Sequence, residues 1–393
     1  MSFRRTLVSS AVFALPFMLL ASASAAQAPE RVIESQAGAI RSEHIGGGLV
    51  HPWAIALLPD GRLLVTERNP GHLRIVDREG TLSEPVAGVP EIFRYAGPTD
   101  GRSQGGLFDV KLHPDFVSNR LVYLSFSKPT ERGAAAAIVR GRLDEAGGTT
   151  RLADIEPIFE MKPEDQESSG LHFGGRMVID AAHGHLFLTI GDRRNMSRAQ
   201  ERGDQAGKVI RLTLDGAPAP SSPFADDDEA DDHIFAMGSR NSQAIALQPG
   251  SDALWSVEHG PEGGDRIDRV AAGANLGWPF IAGGTDYSGA PVGVGLVHEG
   301  MTSPLHVFEE TVAPSGAAFY EGAMFANWRG NLLVGGLANE SLMRVQLDGG
   351  QVVNVERIEI GRRIRDVQIA PDGAVWLLTE HEDGEILRLI PEG

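Results

Sequence analysis

The pattern of hydrophobic and polar residues along the chain predicts short β-strands throughout. Runs rich in Val, Ile, Leu and Phe are bounded by Gly, Pro, Asp and Asn, and long stretches with apolar residues at helical spacing are scarce. Apolar runs with turn-forming residues at both ends are typical of strands in antiparallel sheets. The chain is therefore predicted to be an all-β protein.

One unit recurs along the chain: an apolar strand, a turn containing Pro, Asp or Gly, and a second apolar strand. It occurs six times, at residues 54–67, 109–126, 176–192, 243–260, 316–336 and 366–384. Further strand candidates lie between the units, at residues 72–77, 135–143, 208–215 and 341–348. Six copies, each completed to four antiparallel strands, predict a six-bladed β-propeller. The repetition favours this fold over a β-sandwich or two smaller β-domains.

The propeller is expected to close through its two ends. The last unit finishes close to the C-terminus, and a strand near residues 39–44 would complete its sheet. Each blade presents an apolar face to each neighbour, so no blade is stable alone. Because no linker interrupts the chain, residues 39–393 are expected to form one domain.

The first 26 residues are expected to be a signal peptide. Two arginines precede an apolar run at residues 7–20, and small residues with Ala-x-Ala spacing follow. This order is typical of secretory signals, and the apolar run is too short to span a bilayer. Since the chain contains no Cys, it needs no disulfide, and a bacterial periplasm is the expected location.

The charge of the chain excludes two classes of partner. There are 35 Lys and Arg against 53 Asp and Glu, which gives a formal net charge of −18. Such a surface repels nucleic acid and anionic membranes, and no run after the signal is apolar enough for membrane insertion. The densest acidic run, residues 226–232, matches no EF-hand spacing and is predicted to be a solvated loop.

Polar residues occupy equivalent positions just before the first strand in five of the units. They are Gln104, His172, Arg240 with Asn241, Thr311, and Arg363 with Arg365. The innermost strands of a propeller line its central tunnel, so the loops that lead into them meet at one end. These residues are predicted to form a shared pocket for a polar, anionic ligand. The alternative is that loop ends are simply polar.

Within this set, His172 is the natural general base because its side chain alone titrates near neutral pH. The arginines suit carboxylates, which they hold through two parallel hydrogen bonds. A glycine-rich turn at residues 260–264 follows the second strand of the fourth unit and should lie beside Arg240 and Asn241. Backbone carbonyls of that turn offer a place for a metal ion. The alternative is a pair of ordinary surface turns.

Nine segments, which include the pocket residues, match a known family in order from about residue 46 to residue 389. They are HPWAIALLPDG (51–61), QGGLFDVKLHPDF (104–116), HFGGRMVID (172–180), GKVIRLTLDG (207–216), SRNSQAIALQP (239–249), EHGPEGGD (258–265), NLGWP (275–279), TVAPSGAAFY (311–320) and RIRDVQIAPDG (363–373). Together they resemble the soluble quinoprotein sugar dehydrogenases, which comprise aldose sugar dehydrogenase and soluble glucose dehydrogenase. The compact blades look closer to the aldose sugar dehydrogenase branch.

The resemblance implies a six-bladed propeller that holds pyrroloquinoline quinone (PQQ) and Ca²⁺ at one end of the tunnel. It implies oxidation of the C1 hydroxyl of aldose sugars to lactones, with electrons passing on to a respiratory acceptor. His172 aligns with the base that takes the hydroxyl proton while hydride passes to C5 of the quinone. Arg240 aligns with the arginine beside the quinone oxygens. Other cofactor contacts align with Gln104, Asn241, Thr311, Arg363 and Arg365, and calcium-binding carbonyls with Gly260 and Pro261.

The chain departs from the family pattern at three informative positions. The cofactor-binding lysine of the family falls on Ala338, an acidic residue falls on Arg266, and a tyrosine falls on Leu276. The first change removes one cation for the PQQ carboxylates. The other two argue against a second, structural calcium ion.

Two other functions remain as alternatives. A calcium-dependent lactonase would hold its metal on Asp, Asn and Glu side chains, whereas the predicted pocket carries Gln, His, Arg and Thr. A non-catalytic propeller is consistent with Ala338 and Arg266, but not with the presence of His172 and Arg240. The segments 95–102 and 285–296 are expected to form the rim that selects the sugar, and either a monomer or a homodimer is compatible with the sequence.

Overall fold

The computed structural model of the chain describes residues 31–95 and 103–393. The predicted signal peptide lies outside the described residues, as does the rim segment 95–102 apart from Tyr95. The regular secondary structure of the described residues is almost entirely β-strand, joined by turns and loops. The exceptions are the single-turn helix α1 (Phe116–Asn119) and four short 3₁₀ helices, Ala146–Gly148, Pro163–Asp165, Met196–Gln200 and Ala326–Trp328.

Six antiparallel sheets follow one another along the chain and form the blades of a propeller. The described residues begin with β1 (Arg31–Ile33) and β2 (Ile40–Leu49), which belong to the last blade. Blade 1 contains β3 (Pro52–Leu57), β4 (Leu63–Glu67) and β5 (His72–Val76). Blade 2 contains β6 (Leu107–Leu112), β7 (Leu121–Thr130), β8 (Gly133–Asp144) and β9 (Arg151–Glu160). Blade 3 contains β10 (Met177–Asp180), β11 (His185–Ile190), β12 (Lys208–Thr213) and β13 (Ile234–Met237).

The remaining three blades complete the ring. Blade 4 contains β14 (Ser242–Leu247), β15 (Leu254–Glu258), β16 (Arg266–Val270) and β17 (His306–Val307). Blade 5 contains β18 (Pro314–Phe319), β19 (Leu332–Gly336), β20 (Ser341–Asp348) and β21 (Gln351–Glu359). Blade 6 contains β22 (Ile364–Ile369), β23 (Val375–Thr379) and β24 (Gly384–Pro391), followed in space by β2 and β1.

The two ends of the chain close the ring, as predicted. Strand β2 pairs antiparallel with β24, so that His44 lies opposite Leu387. The first strands of the blades contact one another in ring order, and β22 contacts β3. The six-bladed propeller predicted from the repeats is therefore confirmed, and blades 2 to 5 have the predicted four strands. Among the described residues, blade 1 has three, with an isolated bridge from Val76 to Leu82 beyond them, and β1 gives blade 6 a fifth.

The hydrophobic core lies between adjacent blades rather than inside any one of them. Trp53 of blade 1 packs on Phe108 of blade 2 with ring centroids 5.5 Å apart, and Trp255 of blade 4 meets Phe319 of blade 5 at 5.8 Å. Burial of these large side chains makes each blade dependent on its neighbours. The loops at the tunnel mouth are thus carried on a rigid ring.

A single arginine crosses the tunnel below the mouth. Arg176, just before β10, donates to Asp366 Oδ1 of blade 6 at 2.9 Å and to the carbonyl of Gln243 in blade 4 at 3.0 Å. Its guanidinium also lies 3.9 Å from the ring centroid of Trp53. Because this buried group bridges three other blades, it fixes the floor of the tunnel mouth. In the described part of the chain, no helix has the length and apolar character needed to cross a membrane.

Candidate active site

Two sets of loops meet at one end of the tunnel. In each blade the start of the first strand pairs with the end of the second, as in Ser242 opposite Glu258 and Ile364 opposite Thr379. The loop before the first strand and the loop after the second therefore lie side by side. Together the two sets surround two cavities.

The larger cavity has a volume of about 300 Å³ and receives side chains from all six blades. The predicted residues Gln104, Asn241, Arg363 and Arg365 all line it. Its other polar lining residues are Arg68, Ser103, Gln243, His259 and Glu380. Trp53, Phe108 and Phe173 supply flat apolar walls, so the cavity combines aromatic surfaces with charged groups.

The smaller cavity has a volume of about 140 Å³ and holds the predicted catalytic residues His172 and Arg240 together with Pro261. Its remaining walls include Asp192, Arg194, Trp278 and Tyr287. Residues that are consecutive in the chain line the two cavities alternately: His172 precedes Phe173, and Arg240 precedes Asn241. The cavities are therefore neighbours in one site.

One wall of the larger cavity is cationic. The buried carboxylate of Glu380 meets Arg365 at 2.8 Å, Arg363 at 3.0 Å and Arg68 at 3.2 Å. Burial alone would raise the pKa of Glu380, but the three arginines outweigh burial and hold this pKa below its usual range. One carboxylate balances only one of three guanidinium groups, so the wall keeps an excess positive charge.

Arg365 carries a hydrogen-bond donor that the protein itself does not satisfy. Its Nε atom is buried without a partner, and leaving such a donor unpaired is energetically unfavourable. Burial lowers the pKa of Arg365 to about 10, with Glu380 opposing the shift, so the guanidinium remains charged at neutral pH. The wall therefore fits an anionic ligand with several acceptor atoms.

Two amide side chains are held by the backbone of Gly174. Asn241 Oδ1 accepts from the Gly174 N–H at 3.2 Å, and Gln243 Nε2 donates to the Gly174 carbonyl at 3.0 Å. Gly174 has a φ of +67°, and a Cβ there would lie 2.5 Å from the Thr189 carbonyl oxygen. Only glycine fits this turn. The Asn241 NH₂ group is left as the donor that this side chain can offer to a ligand.

His172 forms a buried pair with Asp192. Its Nδ1 lies 2.6 Å from Asp192 Oδ1, and the other carboxylate oxygen accepts from Trp278 Nε1 at 2.8 Å. The His172 backbone N–H donates to Gln104 Oε1 at 2.7 Å. Burial would raise the pKa of Asp192, but the hydrogen bond and charge interaction with His172, together with the Arg194 backbone N–H, outweigh burial and lower this pKa. An ionised carboxylate only accepts, so the proton of neutral His172 lies on Nδ1 and Nε2 carries the free lone pair.

The imidazole of His172 is neutral at physiological pH. Burial lowers the pKa of His172 to about 4, and the hydrogen bond and charge of Asp192 oppose this shift without overcoming it. A buried, neutral imidazole with an orienting carboxylate is the arrangement of a general base. The catalytic role predicted for His172 is thus chemically available at this place.

Arg240 is fixed at both ends. Its backbone N–H donates to the buried Glu258 carboxylate at 2.7 Å, and its guanidinium reaches the His259 carbonyl at 3.3 Å and the Tyr287 hydroxyl at 3.4 Å. The expected proximity to the turn at residues 260–264 is therefore present. Gly260 of that turn donates its N–H to Asp265 Oδ1 at 2.9 Å.

One of the predicted site residues, Thr311, lies outside both cavities. Thr311 is exposed and lines neither cavity, whereas Ala313, two residues later, lines the larger one. The Asp265 carboxylate accepts from the backbone N–H groups of Val312 at 2.9 Å and Ala313 at 2.7 Å. These bonds fix the segment in a position that leaves the Thr311 side chain outside.

Several site residues were missed from the sequence. Four of them follow the second strand of a blade: Arg68, Asp192, His259 and Glu380. The signal that could have found them is the same repeat register that found the residues before the first strands.

Two of the positions that depart from the family pattern have different surroundings. Arg266 is buried between Glu258 at 2.9 Å and Asp268 at 3.0 Å, whereas Ala338 is exposed.

Comparisons with known proteins show which family the chain resembles. The aldose sugar dehydrogenase YliI of Escherichia coli is 37% identical over 349 residues, which cover 87% of this chain and 91% of that protein. The crystal structure of the soluble aldose sugar dehydrogenase of Escherichia coli in its apo form superposes with a TM-score of 0.83 at 34% identity, covering 90% of this chain and all of that one.

A more distant relative has been solved with a cofactor. The PQQ-bound form of the aldose sugar dehydrogenase of Streptomyces coelicolor superposes with a TM-score of 0.72 at 26% identity, over 89% of this chain and 98% of that one. The sequence model of the Glucose / Sorbosone dehydrogenase family matches residues 49–388, which span all six blades. The chain therefore belongs to the Glucose / Sorbosone dehydrogenase family.

Proposed function

We propose that the protein is a PQQ- and calcium-dependent dehydrogenase that oxidises the C1 hydroxyl of aldose sugars to lactones. The observation that carries the proposal is the juxtaposition of a buried His172–Asp192 pair with a cationic wall that holds an unsatisfied donor. The relative from Streptomyces coelicolor, which was solved with PQQ, supports the choice of cofactor.

The residues of the larger cavity fit PQQ, which is a flat, anionic tricarboxylate. The guanidinium groups of Arg363 and Arg365 would hold its carboxylates, and Arg365 Nε would gain the partner that it lacks. Gln104 and Asn241 would contact its remaining polar atoms. The aromatic walls suit a planar ring system. When bound, the quinone supplies an acceptor for two electrons in the form of a hydride.

His172 performs the proton transfer in this proposal. Nε2 takes the proton from the C1 hydroxyl, and the Asp192 carboxylate stabilises the imidazolium that results. The hydrogen on C1 leaves with its electron pair, so the sugar loses one proton and one hydride and becomes the lactone. Arg240 stabilises the negative charge that develops on the hydride acceptor.

The calcium ion is proposed to bind at the turn that follows β15, through the backbone carbonyls of Gly260 and Pro261. Within residues 31–95 and 103–393, no three His, Asp or Glu side chains are grouped so that they could hold a metal ion. Protein ligands at this turn would thus be carbonyl oxygens, which suit Ca²⁺. The bound ion would act as a Lewis acid on the cofactor.

The proposal extends to the setting of the enzyme. Residues 1–26 are proposed to direct export to the periplasm and residues 39–393 to form the catalytic domain, as a monomer or a homodimer. A respiratory carrier is proposed to reoxidise the cofactor.

The proposal is tested by reconstitution. Purified protein is mixed with PQQ and Ca²⁺, supplied with a panel of aldoses, and assayed by reduction of an artificial dye. We expect turnover that requires both additions and is lost in H172A, while H183A, which alters an exposed histidine of blade 3, behaves as wild type. Absence of turnover together with absence of PQQ binding would refute the proposal.

A further inference from the structure

Arg68 is a cation of the larger cavity that the proposed mechanism does not use. It directly follows β4, where its N–H donates to the His51 carbonyl at 2.9 Å and its carbonyl accepts from Leu107 N–H at 3.1 Å. Its side chain is 14% exposed and lines the cavity. At Gly106 a Cβ would lie 2.4 Å from Arg68 Cγ, so the glycine keeps open the space that this side chain occupies.

Arg68 makes the longest of the three arginine contacts with Glu380. Arg363 and Arg365 both approach Glu380 Oε2, at 3.0 Å and 2.8 Å, whereas Arg68 Nη2 lies 3.2 Å from Oε1. A guanidinium has five N–H donors, so Arg68 can keep Glu380 and bind a second carboxylate at the same time. Glu380 would remain neutralised by its two other arginines if Arg68 shifted toward a ligand.

We propose that Arg68 binds a carboxylate of the anionic cofactor directly and is its third arginine anchor. This inference rests on the proposed function, because it takes PQQ as the ligand. An aldose is uncharged and gives a guanidinium no carboxylate to hold, so the charge of Arg68 is matched to the cofactor rather than to the sugar. Arg68 belongs to blade 1, whereas Arg363 and Arg365 belong to blade 6. The three arginines therefore come from the two neighbouring blades that meet where the ring closes.

The test is equilibrium binding of PQQ to the calcium-supplemented protein, followed through quenching of tryptophan fluorescence, since Trp53 lines the cavity. In R68Q we expect the dissociation constant to rise about 10- to 100-fold, the range for loss of one charge-assisted hydrogen bond. R68K keeps the positive charge but lacks the planar, paired N–H donors of a guanidinium, and it should weaken binding less than R68Q does. The matched control is R74Q in the same blade, because Arg74 is 16% exposed and pairs with Glu67 at 3.2 Å.

A second ligand separates a direct contact from a general effect on the fold. The trimethyl ester of PQQ keeps the ring system but has no carboxylates, so R68Q and wild type should bind it equally. If R68Q binds PQQ as tightly as wild type, or weakens PQQ and the ester by the same factor, the proposal is overturned. If R68Q does not fold, R68K is judged by the same comparison. Failure of wild type itself to bind PQQ would instead refute the proposed function, and this inference with it.

Discussion

Asparagine in place of Asp192 is the sharpest perturbation of the proposed base. The three groups around this carboxylate are His172 Nδ1 at 2.6 Å, Trp278 Nε1 at 2.8 Å and the Arg194 backbone N–H at 2.8 Å. The last two can only donate, and His172 Nδ1 donates as well when Nε2 is the base. The site therefore demands an acceptor at both oxygens, which asparagine cannot provide.

The magnitude follows from the two ways in which asparagine can sit in the site. If its NH₂ group faces Trp278, two donors meet in a buried place and His172 loses the charge that stabilises its protonated form, an effect of about 1.5–3 kcal/mol. If the NH₂ group faces His172, the imidazole moves its proton to Nε2 and no longer has a free lone pair for the substrate. We expect kcat to fall by about 10- to 100-fold in the first case, since 1.4 kcal/mol corresponds to about tenfold, and by more in the second, where no base is left.

The assay is dye-coupled turnover of the reconstituted D192N protein as a function of pH, with PQQ affinity measured in parallel. The acidic limb of kcat/KM in wild type should follow the His172 pKa of about 4. It should move to lower pH in D192N, because Asp192 raises the His172 pKa. PQQ affinity should stay unchanged, since Asp192 does not line the larger cavity. The matched control is D180N, which breaks the exposed Asp180–His183 pair at 2.7 Å in the same blade.

Two results would refute this reasoning. The first is a D192N enzyme with kcat within about threefold of wild type, which would mean less than about 0.7 kcal/mol for the interaction. The second is an equal loss of activity in D180N, because that pair lies outside both cavities.

Further predictions concern stability and cofactor affinity. His172 has a pKa of about 4 in the folded protein and an ordinary value of 6.5, so between these pH values the unfolded chain binds a proton at this residue and the folded protein does not. The free energy of unfolding should therefore fall by about 3 kcal/mol as pH drops through this window, and H172Q should lack that slope in urea titrations. R266M leaves Glu258 and Asp268 buried without their cation and should lose about 3–5 kcal/mol in the same titrations; full stability would contradict this. A338K adds a cation one residue after the cavity residue Leu337 and should tighten PQQ binding by about tenfold at low salt, whereas unchanged or weaker binding would contradict it.

The fold was predictable because strand pairing is local in a propeller. Each repeat unit is a hairpin whose alternation and turn residues are visible in the sequence, and the ring follows from repetition. That blade 1 has three strands instead of four in the described part of the chain was not predictable from the unit alone. The segment after β5 contains Pro85 and Pro90, and proline cannot donate to a sheet. Among the described residues, its pairing with β5 is reduced to the bridge between Val76 and Leu82 and a few backbone hydrogen bonds, such as that from Val86 N–H to the Leu73 carbonyl.

The candidate site was predictable in part. Residues before the first strands share a register, and this register led to Gln104, Asn241 and Arg365, which line the larger cavity. Thr311 has the same register but lies outside, because Asp265 binds the N–H groups that follow it, and these tertiary bonds have no sequence signal. Asp192 was missed because its role depends on a histidine from a different strand end.

The burial of Arg266 could not be predicted from the sequence either. Its position directly opposite Glu258 follows from strand register, but its full burial depends on the loop that carries the Ile281 carbonyl, which accepts from Arg266 Nη1 at 3.3 Å. A charged residue in a strand gives no sign of such a partner in the sequence. The buried guanidinium, tied to two carboxylates, is therefore known only from the structure.

The most direct test of the central claim is a single-turnover experiment without any electron acceptor. Protein loaded with PQQ and Ca²⁺ is mixed with an excess of a competent aldose, and the lactone or its hydrolysis product is quantified against bound PQQ. We expect one equivalent of product in wild type and none on the same timescale in H172A, with PQQ retained by both. Product formation at the wild-type rate in H172A, or a PQQ-loaded wild type that oxidises no aldose, would contradict the central claim.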